Sequence, residues 1–241
     1  MPGTELTKRK HGLLNILYPR CCPVCHRILS DQTSLVCGDC AQNLPFIRSP
    51  FCMKCGTPVA QGEEYCRDCR RSEHVFDCGR GVFLYNETWK KSIEKYKYYG
   101  CREYGDFYAE LMARCALGDR RIRRTDLVVP VPLHERKKRI RGFNQSWYLA
   151  ARIAGKMGIP ATETAVVKVR ETRSQKKLSL SERRRNLSAA YEVTEPLTGR
   201  SVLVVDDIFT TGSTMDAMAE ILYRAGADRV CFLTFCVVPA A

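Results

Sequence analysis

Two neighbouring carboxylates, Asp206 and Asp207, stand just before a run of small and hydroxyl-bearing residues, Thr210, Thr211, Gly212, Ser213 and Thr214. Backbone N–H groups and hydroxyls at the start of a helix make a seat for a phosphate, because the helix dipole also favours negative charge there. Carboxylates so close would repel that phosphate unless they face sugar hydroxyls or a divalent cation such as Mg2+. Together the two halves describe a site for a phosphorylated sugar. An isolated acidic pair or Thr-Gly-Ser reads as a strand end or a helix cap; the complete string carries the chemistry.

A second set of reactive side chains is sulfur. Ten of the 14 cysteines precede Gly79, and eight of them form four Cys-x-x-Cys knuckles: Cys22/Cys25, Cys37/Cys40, Cys52/Cys55 and Cys66/Cys69. Each knuckle places two thiolates on one tight turn, and two knuckles complete a closed tetrahedral Zn2+ site. Eleven residues separate Cys25 from Cys37 and ten separate Cys55 from Cys66, which suggests two consecutive zinc ribbons and two structural zinc ions. A cross-braced pairing, first knuckle with third, is the alternative. Cys21 could replace Cys22 as a ligand, whereas His26 and Cys78 read as non-ligands. So short a segment with few large apolar residues needs metal to fold, and thiol redox chemistry is disfavoured.

The elements that must hold these groups follow from periodicity. Residues 202–205, all apolar, read as a buried parallel strand ended by the acidic pair, and 215–225 read as the helix behind the hydroxyl loop. Further strands are expected over 79–86, 126–133, 165–169 and 191–193, with a last one over 228–238 closing the sheet. Helices are expected over 4–18, 87–99, 102–117 and 146–157. The lysines of 87–99 form a basic side near Tyr96, Tyr98 and Tyr99, which could stack bases or simply pack. Between strand and helix, 134–145 reads as a basic loop able to neutralise a pyrophosphate, at the strand end where open parallel sheets bind ligands. The run 170–186 is polar, rich in Arg, Lys and Ser, and too long for a turn.

At 241 residues with 45% hydrophobic content the chain can form one sizeable domain and one small one, with the boundary placed between 78 and 79. No stretch is long enough for a membrane span. The apolar run 13–18 is short and broken by Asn15, so a signal peptide is not expected and a cytoplasmic location is the default. A formal charge of +13 invites a polyanionic partner, either nucleic acid or a phosphorylated small molecule.

The string from Val202 to Met215 resembles the phosphoribosyl pyrophosphate (PRPP) motif of type I phosphoribosyltransferases. Val129-Pro-Val-Pro-Leu133, then Arg141-Gly-Phe-Asn-Gln145, then Gln175-x-x-Leu-Ser-x-x-Glu-Arg-Arg-x-Asn186, and the double zinc ribbon ahead of them, resemble the ComF family of competence-associated phosphoribosyltransferase-like proteins. The resemblance implies an α/β fold of the type I phosphoribosyltransferase kind with a largely parallel sheet, preceded by the double zinc ribbon. It assigns Asp206 and Asp207 to the ribose hydroxyls and the catalytic centre, and Thr210 to Thr214 to the 5′-phosphate. It places Val131, Pro132, Leu133 and Arg141 in a pyrophosphate loop, and Arg173, Gln175, Lys177 and Arg183 in a flexible loop that closes over substrate. Mg2+ is expected with PRPP. Two functions follow: phosphoribosyl transfer to a nitrogen acceptor, or a DNA-uptake accessory role with single-stranded DNA and competence proteins as partners. The acceptor is not legible in the residues.

Overall fold

The computed structural model describes residues 19–170 and 187–239. The helix expected over 4–18 therefore lies outside the described residues, as do Arg173, Gln175, Lys177 and Arg183. Six strands are found among the described residues: β1 (Cys78–Leu84), β2 (Leu127–Pro130), β3 (Val166–Lys168), β4 (Tyr191–Val193), β5 (Ser201–Phe209) and β6 (Arg229–Val237). β1, β6, β5 and β2 form one sheet in that order, with every neighbouring pair parallel. β3 and β4 pair antiparallel in a small separate sheet.

Among the described residues the bounded helices are α1 (Gly38–Gln42), α2 (Arg67–Arg71), α3 (Glu87–Tyr98), α4 (Tyr104–Gly118), α5 (Glu135–Arg141), α6 (Gln145–Met157) and α7 (Ser213–Arg224). Strand side chains alternate between faces, so a sheet covered on both sides buries every position of its central strands. In β5, Leu203 and Val205 join the core formed with α3, α4 and α6, and Val202 and Val204 join the core beneath α7. Aromatic packing fills the first of these cores, where Phe83 stacks on Trp89 at 4.3 Å and Tyr108 on Phe235 at 3.9 Å.

The two cysteine-rich segments serve opposite faces of this sheet. Cys22, Leu29 and Val36 are buried in the core of α3, α4 and α6, whereas Cys52, Cys55, Cys66 and Phe76 are buried in that of α7.

Two expectations are corrected. The basic stretch after β2 is largely the helix α5 rather than a loop. His134 accepts a hydrogen bond from the Arg136 N–H at 3.3 Å and starts it, and Gly142 ends it at φ 74°, so both ends are stopped despite the dense charge. β6 does not close the sheet at an edge but lies between β1 and β5. No helix among the described residues is long and apolar enough to cross a membrane.

Candidate functional site

β5 delivers the acidic pair at the carboxyl end of the sheet's apolar strands, where Val131 N–H still bonds the Val205 carbonyl at 2.9 Å. Asp207 is buried and ion-paired with Lys97 from the last turn of α3. Asp206 accepts a hydrogen bond from the Ser146 hydroxyl at 2.7 Å. Ser146 stands in the first turn of α6, where Asn144 caps the helix by accepting from its N–H at 3.1 Å.

The electrostatics follow from crowding. Burial and the adjacent Asp207 charge push Asp206 up to about 7, against the opposing pull of Lys97 and of the Ser146 hydrogen bond. Burial alone would lower the Lys97 ammonium; Asp207, and behind it Asp206, carry it above its ordinary value instead. Tyr191, on β4, is likewise raised, by burial first and then by the Asp206 charge.

After the acidic pair the chain turns through Thr210 and Thr211, both exposed, to Gly212 at φ 81°, the N-cap of α7. A left-handed residue there favours glycine, and no side chain caps the helix from that position. Thr211 and Ser213 share a hydrogen bond at 3.0 Å between their hydroxyls. A helix start of this kind has the donor chemistry that suits an anion. The acidic residue of that turn, Asp216, is turned away: its carboxylate accepts from the Val75 N–H at 2.8 Å and meets His74 Nδ1 at 2.9 Å.

The remaining expected residues divide. Val131 and Pro132 are buried as part of the scaffold under β5, and Leu133 is half-buried. Arg141 reaches the end of α3, donating to the Tyr98 hydroxyl at 2.6 Å and to Gln145 Oε1 at 2.7 Å, and its charge acts on Lys97. Lys97, Ser146 and His74 were not anticipated. Lys97 continues the stripe Trp89, Ile93 at four-residue spacing, which is the one signal that could have marked it as inward-facing.

The eight knuckle cysteines gather into two groups, Cys22, Cys25, Cys37, Cys40 and Cys52, Cys55, Cys66, Cys69, with the sulfurs of each group within 4.8 Å of one another. Four sulfurs about 2.3 Å from a tetrahedral Zn2+ are about 3.8 Å apart. Cys25 and Cys37 are 3.8 Å apart, and Cys55 and Cys66 3.6 Å, so the knuckles pair consecutively and the cross-braced alternative falls. The clusters fit two structural zinc ions. His26 instead meets the Tyr104 hydroxyl at 3.1 Å, and Cys78 faces Cys231 at 3.1 Å.

The double zinc ribbon domain family matches residues 13–70, and the phosphoribosyl transferase domain family matches residues 144–241. DNA utilization protein YhgH of Salmonella typhimurium is 31% identical over 215 residues, which span 88% of this chain and 94% of that one. Competence protein F of Haemophilus influenzae is 26% identical over 87% of this chain and 93% of that one, and competence protein ComFC of Bacillus subtilis 27% over 79% of each.

The chain belongs to the ComF family.

ComF membership brings together the two halves found here, a parallel sheet of the type I phosphoribosyltransferase kind and a preceding pair of zinc ribbons. Among solved structures, this ComF chain is similar to glutamine PRPP amidotransferase of B. subtilis, with a TM-score of 0.40 and 22% identity over 58% of this chain and 30% of that one. It is also similar to the purine phosphoribosyltransferase of Pyrococcus horikoshii, with a TM-score of 0.33 and 16% identity over 55% and 85% of the two chains.

Proposed function

We propose that this chain binds PRPP with Mg2+ and transfers its phosphoribosyl group to a nitrogen acceptor. The observation that carries the reading is the sequence of groups at the end of β5: Asp206 and Asp207, each with a polar partner, and then an uncapped helix start at Gly212. In this reading the amides and hydroxyls of 210–214 hold the 5′-phosphate, and Asp206 and Asp207 hold the ribose hydroxyls. As pyrophosphate leaves the anomeric carbon, positive charge grows on the ribose ring, and the two carboxylates stabilise it. Hard oxygen donors suit Mg2+, which when bound neutralises charge on the departing pyrophosphate. Lys97 and Arg141 stand ready to add positive charge on the same side. Arg173, Gln175, Lys177 and Arg183, which the family resemblance assigns to a loop over the substrate, lie outside the described residues.

Calorimetry of the zinc-loaded protein with PRPP and Mg2+, followed by assay of pyrophosphate release with candidate amines and nucleobases, tests the reading. Binding that disappears in an Asp206→Asn, Asp207→Asn double variant supports it; absence of PRPP binding by the wild-type protein removes it.

One specific observation favours a second activity. Tyr98 and Tyr99, at the end of α3, are 57% and 74% exposed, and the Arg141 guanidinium lies 4.7 Å over the Tyr98 ring, which pairs flat aromatic surface with positive charge as single-stranded DNA binding requires. The relatives named for competence and DNA utilization agree with a role in handling DNA. Retention on single-stranded DNA that weakens with salt and with Tyr98→Ala, Tyr99→Ala supports it; no retention at low salt discards it.

A further inference from the structure

We propose that the second zinc ribbon positions the 210–214 loop through His74, so that zinc held by Cys52, Cys55, Cys66 and Cys69 governs how well the loop takes a phosphate group. The choice of ligand rests on the reading above; the positioning contact does not.

α2 carries Cys69, and only five residues later the chain reaches His74, whose side chain is 5% exposed. His74 Nδ1 meets one oxygen of Asp216 at 2.9 Å, and the Val75 N–H donates to the other at 2.8 Å. Both carboxylate oxygens are therefore engaged by the chain leaving the ribbon, and Asp216 sits on the first turn of α7. The same imidazole lies under the loop. A Cβ on Gly212 would stand 2.7 Å from His74 Cε1 and 3.0 Å from Nδ1, so ring and loop backbone are in close contact. The ring is itself held from behind by stacking on Phe76 at 4.8 Å, and Phe76 packs edge-on against Phe232 of β6 at 4.8 Å.

This geometry does two things for an anion seat. It supports the left-handed turn at Gly212 on a rigid ring, which keeps the first amides of α7 aimed outward. It also removes Asp216 from competition, because a free carboxylate in that turn would repel a phosphate and could turn back onto the same amides. A short metal-bound segment is a better mount for such a contact than a free loop, since its conformation is set by four metal bonds.

The test uses the full-length, zinc-loaded chain with four variants, His74→Ala, His74→Asn, Cys69→Ser and Cys40→Ser. Zinc content, amide hydrogen exchange and calorimetry with PRPP and Mg2+ are measured on each. Asn is the conservative variant because its amide nitrogen can donate from about the place of Nδ1. With His74→Ala, the expected result is two zinc ions retained, exchange at 210–216 about tenfold faster with β2 and β6 unchanged, and PRPP affinity about tenfold weaker. His74→Asn recovers most of both. Cys69→Ser loses one zinc and reproduces the loop effect; Cys40→Ser loses one zinc and leaves the loop as it was. Loop exchange unchanged in His74→Ala overturns the proposal, as does an equal effect from Cys40→Ser. If the wild-type protein binds no PRPP while the exchange pattern holds, positioning stands and the PRPP reading alone falls.

Discussion

Lys97 of α3 and Asp207 of β5 form an ion pair with side chains only 18% and 8% exposed, joining residues far apart in sequence at the end of the central strand. A pair so enclosed adds little stability over an apolar contact, but loss of one member strands the other without water. Lys97→Met is therefore expected to cost about 3–5 kcal/mol at pH 8. Urea unfolding measures it, and Lys97→Met with Asp207→Asn should recover most of the loss; a single variant as stable as wild type would contradict the pairing.

Asp206 makes stability depend on pH with a definite sign. Its folded value, about 7, lies above the ordinary 3.8, so between these limits the folded state holds a proton that the unfolded chain releases. The contribution is present in full below about pH 4 and is lost as pH rises through 7. Asp206→Asn should consequently be more stable than wild type at pH 8, by about 1–3 kcal/mol, with the difference shrinking towards pH 5. Ser146→Ala removes a hydrogen bond that favours the ionised form, and should move the titration of Asp206, followed by carboxyl resonances, to still higher pH.

The same proton bears on ligand binding. Ribose hydroxyls and Mg2+ select the ionised carboxylate, so affinity for PRPP and Mg2+ should rise with pH through about 7. Calorimetry in buffers of different ionisation enthalpy should show proton release on binding at pH 6.5 and little at pH 8.5.

Gly212→Ala places a Cβ at φ 81° and against the His74 ring. The backbone cost alone is about 1–2 kcal/mol, and the displaced loop should lose phosphate-bearing ligands. Thermal unfolding and PRPP titration on one preparation would show both effects.

Two zinc ions per chain are expected by elemental analysis. Because Cys22 lies in one core and Cys52, Cys55 and Cys66 in the other, strong chelation should loosen both faces of the sheet and not merely release two appended ribbons. Near-ultraviolet circular dichroism before and after chelation reports this.

Much of this architecture was legible in the residues. The apolar run ending in Asp206 and Asp207 announced a buried parallel strand because nothing in it alternates, and the near-equal gaps after Cys25 and Cys55 foretold consecutive pairing. What failed depended on tertiary contacts. Lys97 looked like one lysine among four on a basic side, and only the arrival of β5 beside α3 makes it a partner for Asp207. His74 belongs to no motif. The charge on 136–141 suggested a loop, yet capping by His134 and the left-handed exit at Gly142 outweigh repulsion along so short a helix. Strand order was equally hidden, since nothing within β6 says that its neighbours are β1 and β5.

That order has a consequence for how the molecule is made. Among the described residues β6 is the one strand paired along β1, whose other edge meets Phe46 and Ile47, and Cys78 pairs with Cys231, 153 residues downstream. On a chain emerging from the ribosome, both ribbons are made long before β1 has a strand to join. Until β6 is synthesised, the edges of β1 and β5 that it will fill stay unpaired.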